Sequence, residues 1–322
     1  MRYRFQGVSA VAAATILALL GGGCAHNQGQ ASPGPVEKHD LTVGFVPVAD
    51  AAALYIAQQR GFFQAEGLHV KLVPIRSGAD AISGQLAGKY DVVLGNYVSY
   101  ILADATQHQH FRILAPAAAD APDVSMLLVP AGSPIQSIAG LAGKTVGVNA
   151  LNNIGTLFIT SMLSDNGMHV QTDHVQFKAV PFPDMTHALQ ADQVDAAWMV
   201  EPFVTAAEMA GAKPLADTNT GATQNLPIAG YMVTQAWEQR YPNTAAAFRA
   251  ALAKGQQIAA SNSPAVWRGL ETFANIKPSD AEIIALPSFP LTIQAGSLQR
   301  IANLMLLYNM IDQGFNAAKM LR

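Results

Sequence analysis

A chain of 322 residues exceeds the size at which one hydrophobic core usually stops growing, and half of its residues are hydrophobic, so two α/β units are expected. Only 13% of residues are charged, 19 Lys+Arg stand against 22 Asp+Glu, and no basic block occurs. That balance argues against nucleic acid as a partner.

The chain opens with Arg2 and Arg4 ahead of an apolar run, Val8–Leu20, of 13 residues, which is shorter than an ordinary membrane span. Gly21-Gly22-Gly23-Cys24 follows, and Cys24 is the sole cysteine. This stretch resembles the bacterial lipoprotein signal, with Gly21 where that signal usually has Leu. The resemblance implies removal of residues 1–23 and acylation of Cys24. Several acyl chains at ~0.8 kcal/mol per buried CH₂ would hold the protein stably on a membrane. An ordinary secretory signal before an incidental cysteine is the alternative. Residues 24–40, rich in Gln, Gly, Ser, Pro and Asn, read as a flexible tether.

Leu41–Val46 has the length and composition of a buried strand, and Pro47 stops it. A helix is expected over 51–60, where Leu54, Tyr55 and Ala57 share a face and Gly61 ends the run. A strand over 70–75, a helix from Ser77 to about Gly88 and a strand over 91–94 follow. The consecutive Val92, Val93 and Leu94 suit a strand buried on both faces, as parallel sheets require. A helix over 98–106, a strand over 112–115 and an extended run over 125–129 come next, with a crossing to a second lobe between Asp120 and Pro130.

The order then repeats. Lys144–Val148, a helix from about Ile154, Asn166-Gly167-Met168-His169-Val170, an extended run to Val180, and Val194-Asp195-Ala196-Ala197-Trp198 mirror the first plan. Gly67/Gly167, His69/His169 and Asp91/Asp195 lie 100, 100 and 104 positions apart. A near-constant offset points to two lobes built alike. After the repeat, a polar loop over 217–225 and an apolar run over 228–234 carry the chain back. Four helices close it, over 243–260, 264–274, 278–285 and 294–311, the last with a stripe of Ile301, Leu304, Met305 and Tyr308 that should dock on the first lobe.

This arrangement resembles the type 2 periplasmic solute-binding proteins of ABC importers, in the nitrate, sulfonate and taurine branch that also holds thiamine-pyrimidine precursor binders. The residues that carry the resemblance are Val43-Gly44-Phe45-x-Pro47, Gly61-Phe62-Phe63-x-x-x-Gly67-Leu68-x-Val70, Leu141-x-Gly143-Lys144-Thr145-Val146-Gly147-Val148 and Asp195-Ala196-Ala197-Trp198-x-x-Glu201-Pro202-Phe203. The resemblance implies an α/β, two-lobed type 2 fold with two crossing segments and a ligand cleft between the lobes. Lobe 1 would comprise 41–125 and 229–322, and lobe 2 would comprise 126–228. It further implies a monomeric, lipid-anchored extracytoplasmic receptor that delivers a small solute to a permease and its ATPase, with no cofactor and no metal. The expected solute is of the sulfonate, taurine or nitrate type; the alternative is an aminopyrimidine or thiamine precursor.

In open α/β sheets, ligands sit beyond the carboxyl ends of strands, where helix N-termini offer unpaired N–H groups. Six loops therefore form the expected wall: Pro47–Asp50, Arg76–Gly78, Gly95–Val98, Asn149–Gly155, Pro181–Met185 and Trp198–Pro202. The candidate contacts on them are Asp50, Ser77, Gly78, Asn96, Tyr97, Asn152, Trp198 and Glu201. Asp50 and Ser77 also stand where helix caps belong. Trp198 stacks on a flat ligand or fills the core, and Glu201 holds an amine or is a solvated loop acid. One firm cation, Arg76, faces three acids, Asp50, Asp184 and Glu201, which sits badly with a buried anion. His108 and His110 have a metal-compatible spacing but no acid or cysteine cluster beside them. An enzyme of the branch, a pyrimidine-precursor synthase, uses its own histidine and a cysteine-rich motif. Cys24 alone does not supply that motif, and no Ser-His-Asp order, phosphate loop or HExxH is present.

Overall fold

The computed structural model describes residues 34–321 apart from Asn275. The apolar leader, Cys24 and the first part of the tether lie outside the described residues.

Among the described residues, ten strands make two five-stranded sheets. The first contains β1 (Asp40–Phe45), β2 (His69–Pro74), β3 (Val92–Asn96), β4 (Phe111–Ala119) and, much later, β10 (Pro227–Thr234), in the order β2-β1-β3-β10-β4. The second contains β5 (Ser125–Val129), β6 (Thr145–Val148), β7 (Gln176–Ala179), β8 (Ala196–Val200) and β9 (Lys213–Asp217), in the order β7-β6-β8-β5-β9. The plans match. In each sheet three parallel strands are followed by one antiparallel strand, β10 or β5, that pairs on both sides. Each antiparallel strand is the one that has just arrived from the other lobe. Helices cover the sheets, and the strands β3 and β8 are buried almost throughout, as consecutive apolar residues demand.

The repeated residues turn out to be fastenings. Gly67 and Gly167 hold left-handed backbone, at φ of 76° and 72°, which a side chain would disfavour. Asp91 and Asp195 precede β3 and β8, and each ties its strand to the start of the neighbouring parallel one. Thr42 N–H donates to Asp91 Oδ2 at 2.9 Å and Thr145 N–H donates to Asp195 Oδ2 at 2.8 Å. Lys38 and Lys144 take the other carboxylate oxygen in turn. Asp91 also receives the Trp237 indole N–H at 2.9 Å. Asp195→Ala should cost about 1–2 kcal/mol in urea unfolding, because the Thr145 amide loses its acceptor. An unchanged midpoint would show the fastening to be idle.

Three expectations need correction. The tether was expected to run free to Asp40, but residues from Gly34 onward are held. Glu37 caps the helix Pro242–Ser261, accepting from the backbone N–H of Asn243 at 3.0 Å and of Thr244 at 2.8 Å. A carboxylate belongs at that positive helix end. Desolvation raises its carboxyl, but the hydrogen bonds from Asn243 and Thr244 outweigh this and hold it down at about 2. His169 does not begin a strand as His69 does; its N–H donates to Asp173 at 2.7 Å in a turn, and β7 starts only at Gln176. The last long helix, Ala295–Leu307, is shorter than expected and packs on both lobes: against the helix Tyr97–Gln107, and through Tyr308, 3.3 Å from the Ser161 hydroxyl, against the helix Ile154–Asp165. Among the described residues, no helix is long and apolar enough to cross a membrane.

Candidate functional site

Both sheets end their parallel strands on one recess of about 440 Å³, including its open mouth, between the lobes. Each of the six expected wall loops supplies at least one lining residue: Asp50, Gly78, Asn96, Asn149, Phe182 and Trp198 come from the six in order. Ile154, Ile228 and Val46 fill the apolar space among them.

Asp50 is the one charged residue of the lining. It lies in the short 3₁₀ turn Ala49–Ala51, and neither that turn nor the following helix, Ala52–Gln59, has a side-chain cap. The capping role is therefore not what Asp50 does. It is buried, 5% exposed, with no ion pair among the described residues, and burial pushes its carboxyl up to about 7. Two phenols share this inner end. The Tyr97 hydroxyl is buried without a hydrogen-bond partner and the Tyr231 hydroxyl has only a weak contact with the Leu54 backbone; burial first, then the Asp50 charge, raises both phenols. Of the three groups only Asp50 lines the recess; the phenols lie behind it.

The two carboxamides are donors. Asn96 caps the helix Tyr97–Gln107 through Oδ1, which accepts from Ser99 N–H at 2.9 Å. Asn149 Oδ1 accepts from the Asn153 carboxamide, while Asn153 caps the helix Ile154–Asp165. With Oδ1 occupied in both, the NH₂ groups of these two lining residues are the donors left over among the described hydrogen bonds. Trp198 is the apolar wall. It is 1% exposed, its indole N–H donates to Thr218 Oγ1 at 3.1 Å, and Phe158 and Phe182 bracket the ring at 5.9 and 6.0 Å. Gly155 permits this: a Cβ there would stand 2.5 Å from the indole, so only glycine lets the helix start against the ring.

Four expected contacts fall elsewhere. Ser77 caps the helix Gly78–Leu86, its hydroxyl accepting from Asp80 N–H at 3.2 Å, and stays out of the lining. Tyr97 lies behind the wall rather than on it. Asn152 adopts φ of 54° and lines a separate groove with Thr156, Tyr308 and Asn309; its neighbour Asn149 lines the recess in its place. Glu201 is 2% exposed and bound inward: Thr205 donates to it from N–H at 3.2 Å and from its hydroxyl at 2.7 Å, and Ala285 N–H reaches it at 3.4 Å. Burial outweighs these bonds and lifts its carboxyl to about 7. Arg76 is exposed and absent from the lining. His110 faces Asp104 at 3.6 Å on an exposed loop. Phe182 and Tyr231 escaped the sequence reading, although the Pro181–Met185 loop had been placed on the wall.

A family model described as NMT1/THI5 like matches residues 48–265. A curated bicarbonate transport ATP-binding protein, CmpC of Synechocystis sp., is 26% identical over 231 residues, 67% of this chain and 34% of that protein. The chain thus spans about a third of that relative. Among solved structures, the alkanesulfonate-binding protein SsuA of Xanthomonas axonopodis pv. citri, bound to MOPS, superposes with a TM-score of 0.76 at 16% identity, covering 89% of this chain and 99% of that one. The periplasmic nitrate-binding protein NrtA of Synechocystis PCC 6803 gives 0.73 at 14% identity, covering 88% and 85%. A Candida albicans gene product with the generic periplasmic binding protein fold gives 0.73 at 14% identity, covering 88% and 96%. These likenesses establish the fold.

Proposed function

The chain belongs to the NMT1/THI5-like family, and from that premise we propose that it is the extracytoplasmic solute receptor of an ABC importer. Its cleft takes a small flat solute with a cationic or N–H-rich group. The observation that carries this reading is Asp50, a buried unpaired carboxylate in a lining that holds no Lys or Arg. A sulfonate or nitrate placed there would meet a negative charge and no cation, a costly burial. An amine or amidine would instead pair with the carboxylate, while Asn96 and Asn149 donate to ring nitrogens and Trp198 and Phe182 bound an aromatic plane. The aminopyrimidine alternative therefore gains over the sulfonate, taurine and nitrate solutes expected from resemblance. A synthase lacks support, since the cysteine-rich motif is missing and neither His nor Cys lines the recess.

In this reading, lobe 1 (41–125 and 229–322) and lobe 2 (126–228) close on the solute and the closed monomer docks on a permease served by an ATPase. The solute must favour the closed form, because only differential affinity shifts such a population. Acylated Cys24 would keep the receptor at the membrane.

The test is a thermal-shift titration of protein refolded free of carried-over ligand. At a hundred times its Kd an aminopyrimidine should add ~2.7 kcal/mol, a shift of about 5 °C for a chain this large. Asp50→Asn should abolish that shift. For a permanently charged heterocycle, affinity should fall about tenfold per pH unit below about 7, where binding must expel the Asp50 proton. Stabilisation by sulfonates or nitrate that survives in Asp50→Asn would sink the assignment.

A further inference from the structure

The two crossings between the lobes are tied to each other: Asp120 N–H donates to the Leu226 carbonyl at 2.9 Å, and Thr218 N–H to the Ser125 carbonyl at 3.0 Å. On them runs a chain of side-chain contacts that ends at the cleft wall. Trp198 Nε1 stands 3.1 Å from Thr218 Oγ1, which lies 2.8 Å from the Ser125 carbonyl oxygen and 2.9 Å from Ser125 Oγ. Ser125 Oγ in turn lies 2.7 Å from Asp120 Oδ2. Trp198, Thr218, Ser125 and Asp120 are all buried, none more than 1% exposed.

Four contacts require four hydrogens. The indole and the two hydroxyls supply three, and the Ser125 carbonyl can only accept. The fourth must come from the Asp120 carboxyl. Its second oxygen, Oδ1, is buried with no hydrogen bond of normal geometry, only the weaker Ala121 amide helping the carboxyl, which a neutral C=O tolerates far better than a carboxylate does.

We propose that Asp120 carries a proton in the resting protein, and that the Asp120–Ser125–Thr218 chain is a positioning device that holds the Trp198 indole as a cleft wall in step with the hinge. With the proton present, Asp120 donates to Ser125, Ser125 to Thr218, and Thr218 to the Ser125 carbonyl. Without it, the Ser125 hydroxyl turns back to the carboxylate, and the Ser125–Thr218 contact has no hydrogen. The group that fixes Trp198 is then loosened. The surroundings agree. Burial pushes Asp120 up to about 8 against the Ser125 hydrogen bond and the Ala121 amide, and the charged groups near it, Asp217 and Asp50, raise it further. Arg300 binds the second crossing at the Ala222 carbonyl, and among the described residues no cation pairs with the Asp120 carboxyl.

The experiment follows indole N–H resonances of the full chain labelled with ¹⁵N-tryptophan, which holds three tryptophans, with Trp198→Phe identifying the Trp198 signal. No ligand is needed, so the outcome is independent of the solute assignment. The wild-type Trp198 resonance should titrate with a midpoint near pH 8. In Asp120→Asn it should hold its neutral-pH position at every pH, because the carboxamide N–H supplies the fourth hydrogen. Thr218→Val should displace the resonance and remove the titration. A wild-type signal that is flat from neutral to alkaline pH, or one that titrates equally in Asp120→Asn, overturns the proposal.

Discussion

The ligand-free protein should lose stability steadily as pH rises from about 5 to 8. Asp50, Asp120 and Glu201 are lifted to about 7, 8 and 7, chiefly by burial, and none has a cation beside it among the described residues. A raised carboxyl binds its proton more tightly folded than unfolded. Its stabilising contribution is complete below the unfolded value near 4 and disappears as pH climbs through the folded value. At ~1.4 kcal/mol per pKa unit, the combined fall should be on the order of several kcal/mol. Glu37 has the opposite sign. Held near 2, it stabilises above its ordinary value of 4.5, and that stability is lost as pH drops toward 2. The maximum should therefore lie near pH 4 to 5. Urea midpoints at pH 5, 6.5 and 8 check this, with Asp50→Asn and Asp120→Asn each flattening the slope. A midpoint that is level or rises across that range would refute the linkage.

Glu201→Ala should cost about 3 kcal/mol, yet leave solute affinity in the folded fraction within a few-fold of the wild type. Truncation strands the buried Thr205 N–H and hydroxyl and frees the half-buried Ala285 N–H, and unpaired buried donors cost about 1–3 kcal/mol each. Glu201 also joins the lobes through its backbone, since Ala49 N–H donates to its carbonyl at 2.9 Å and its own N–H donates to Val124 at 3.0 Å. Those bonds survive in alanine. Glu201→Gln keeps one acceptor and should lose less than half as much. Chemical denaturation and calorimetric titration together separate the roles: a stable Glu201→Ala protein that no longer binds would return Glu201 to the cleft.

The architecture was legible because its signals are local. Buried strands announce themselves as short apolar runs, and the repeat spacing of Asp91 and Asp195 reports one plan executed twice. The six wall loops followed from strand ends alone. Individual contacts were harder. Asn149, Asn152 and Asn153 are equivalent by type, and only the backbone decides among them: positive φ at Asn152 turns it to another groove, and Asn153 is spent on the helix cap. The Glu201 carboxylate is bound by an amide 84 residues away, which no neighbouring sequence could announce. Tyr231 was hidden in a run that read simply as a strand, because the cluster it joins is assembled from β10, the first residue of the helix after β3 and the 3₁₀ turn after β1.

The exchange of antiparallel strands also sets a timetable for synthesis. All strands of the second sheet come from one uninterrupted stretch, 125–217, so that sheet can close as soon as its last strand is made. The first sheet must wait. β3 and β4 are never neighbours, and β10, which belongs between them, is completed only at Thr234. Until then both flanking strands keep an unpaired edge, the kind of surface on which chains stick to one another. The first half of the chain to be made is thus the last to be finished, and a nascent chain kept unfolded until release avoids that exposed interval.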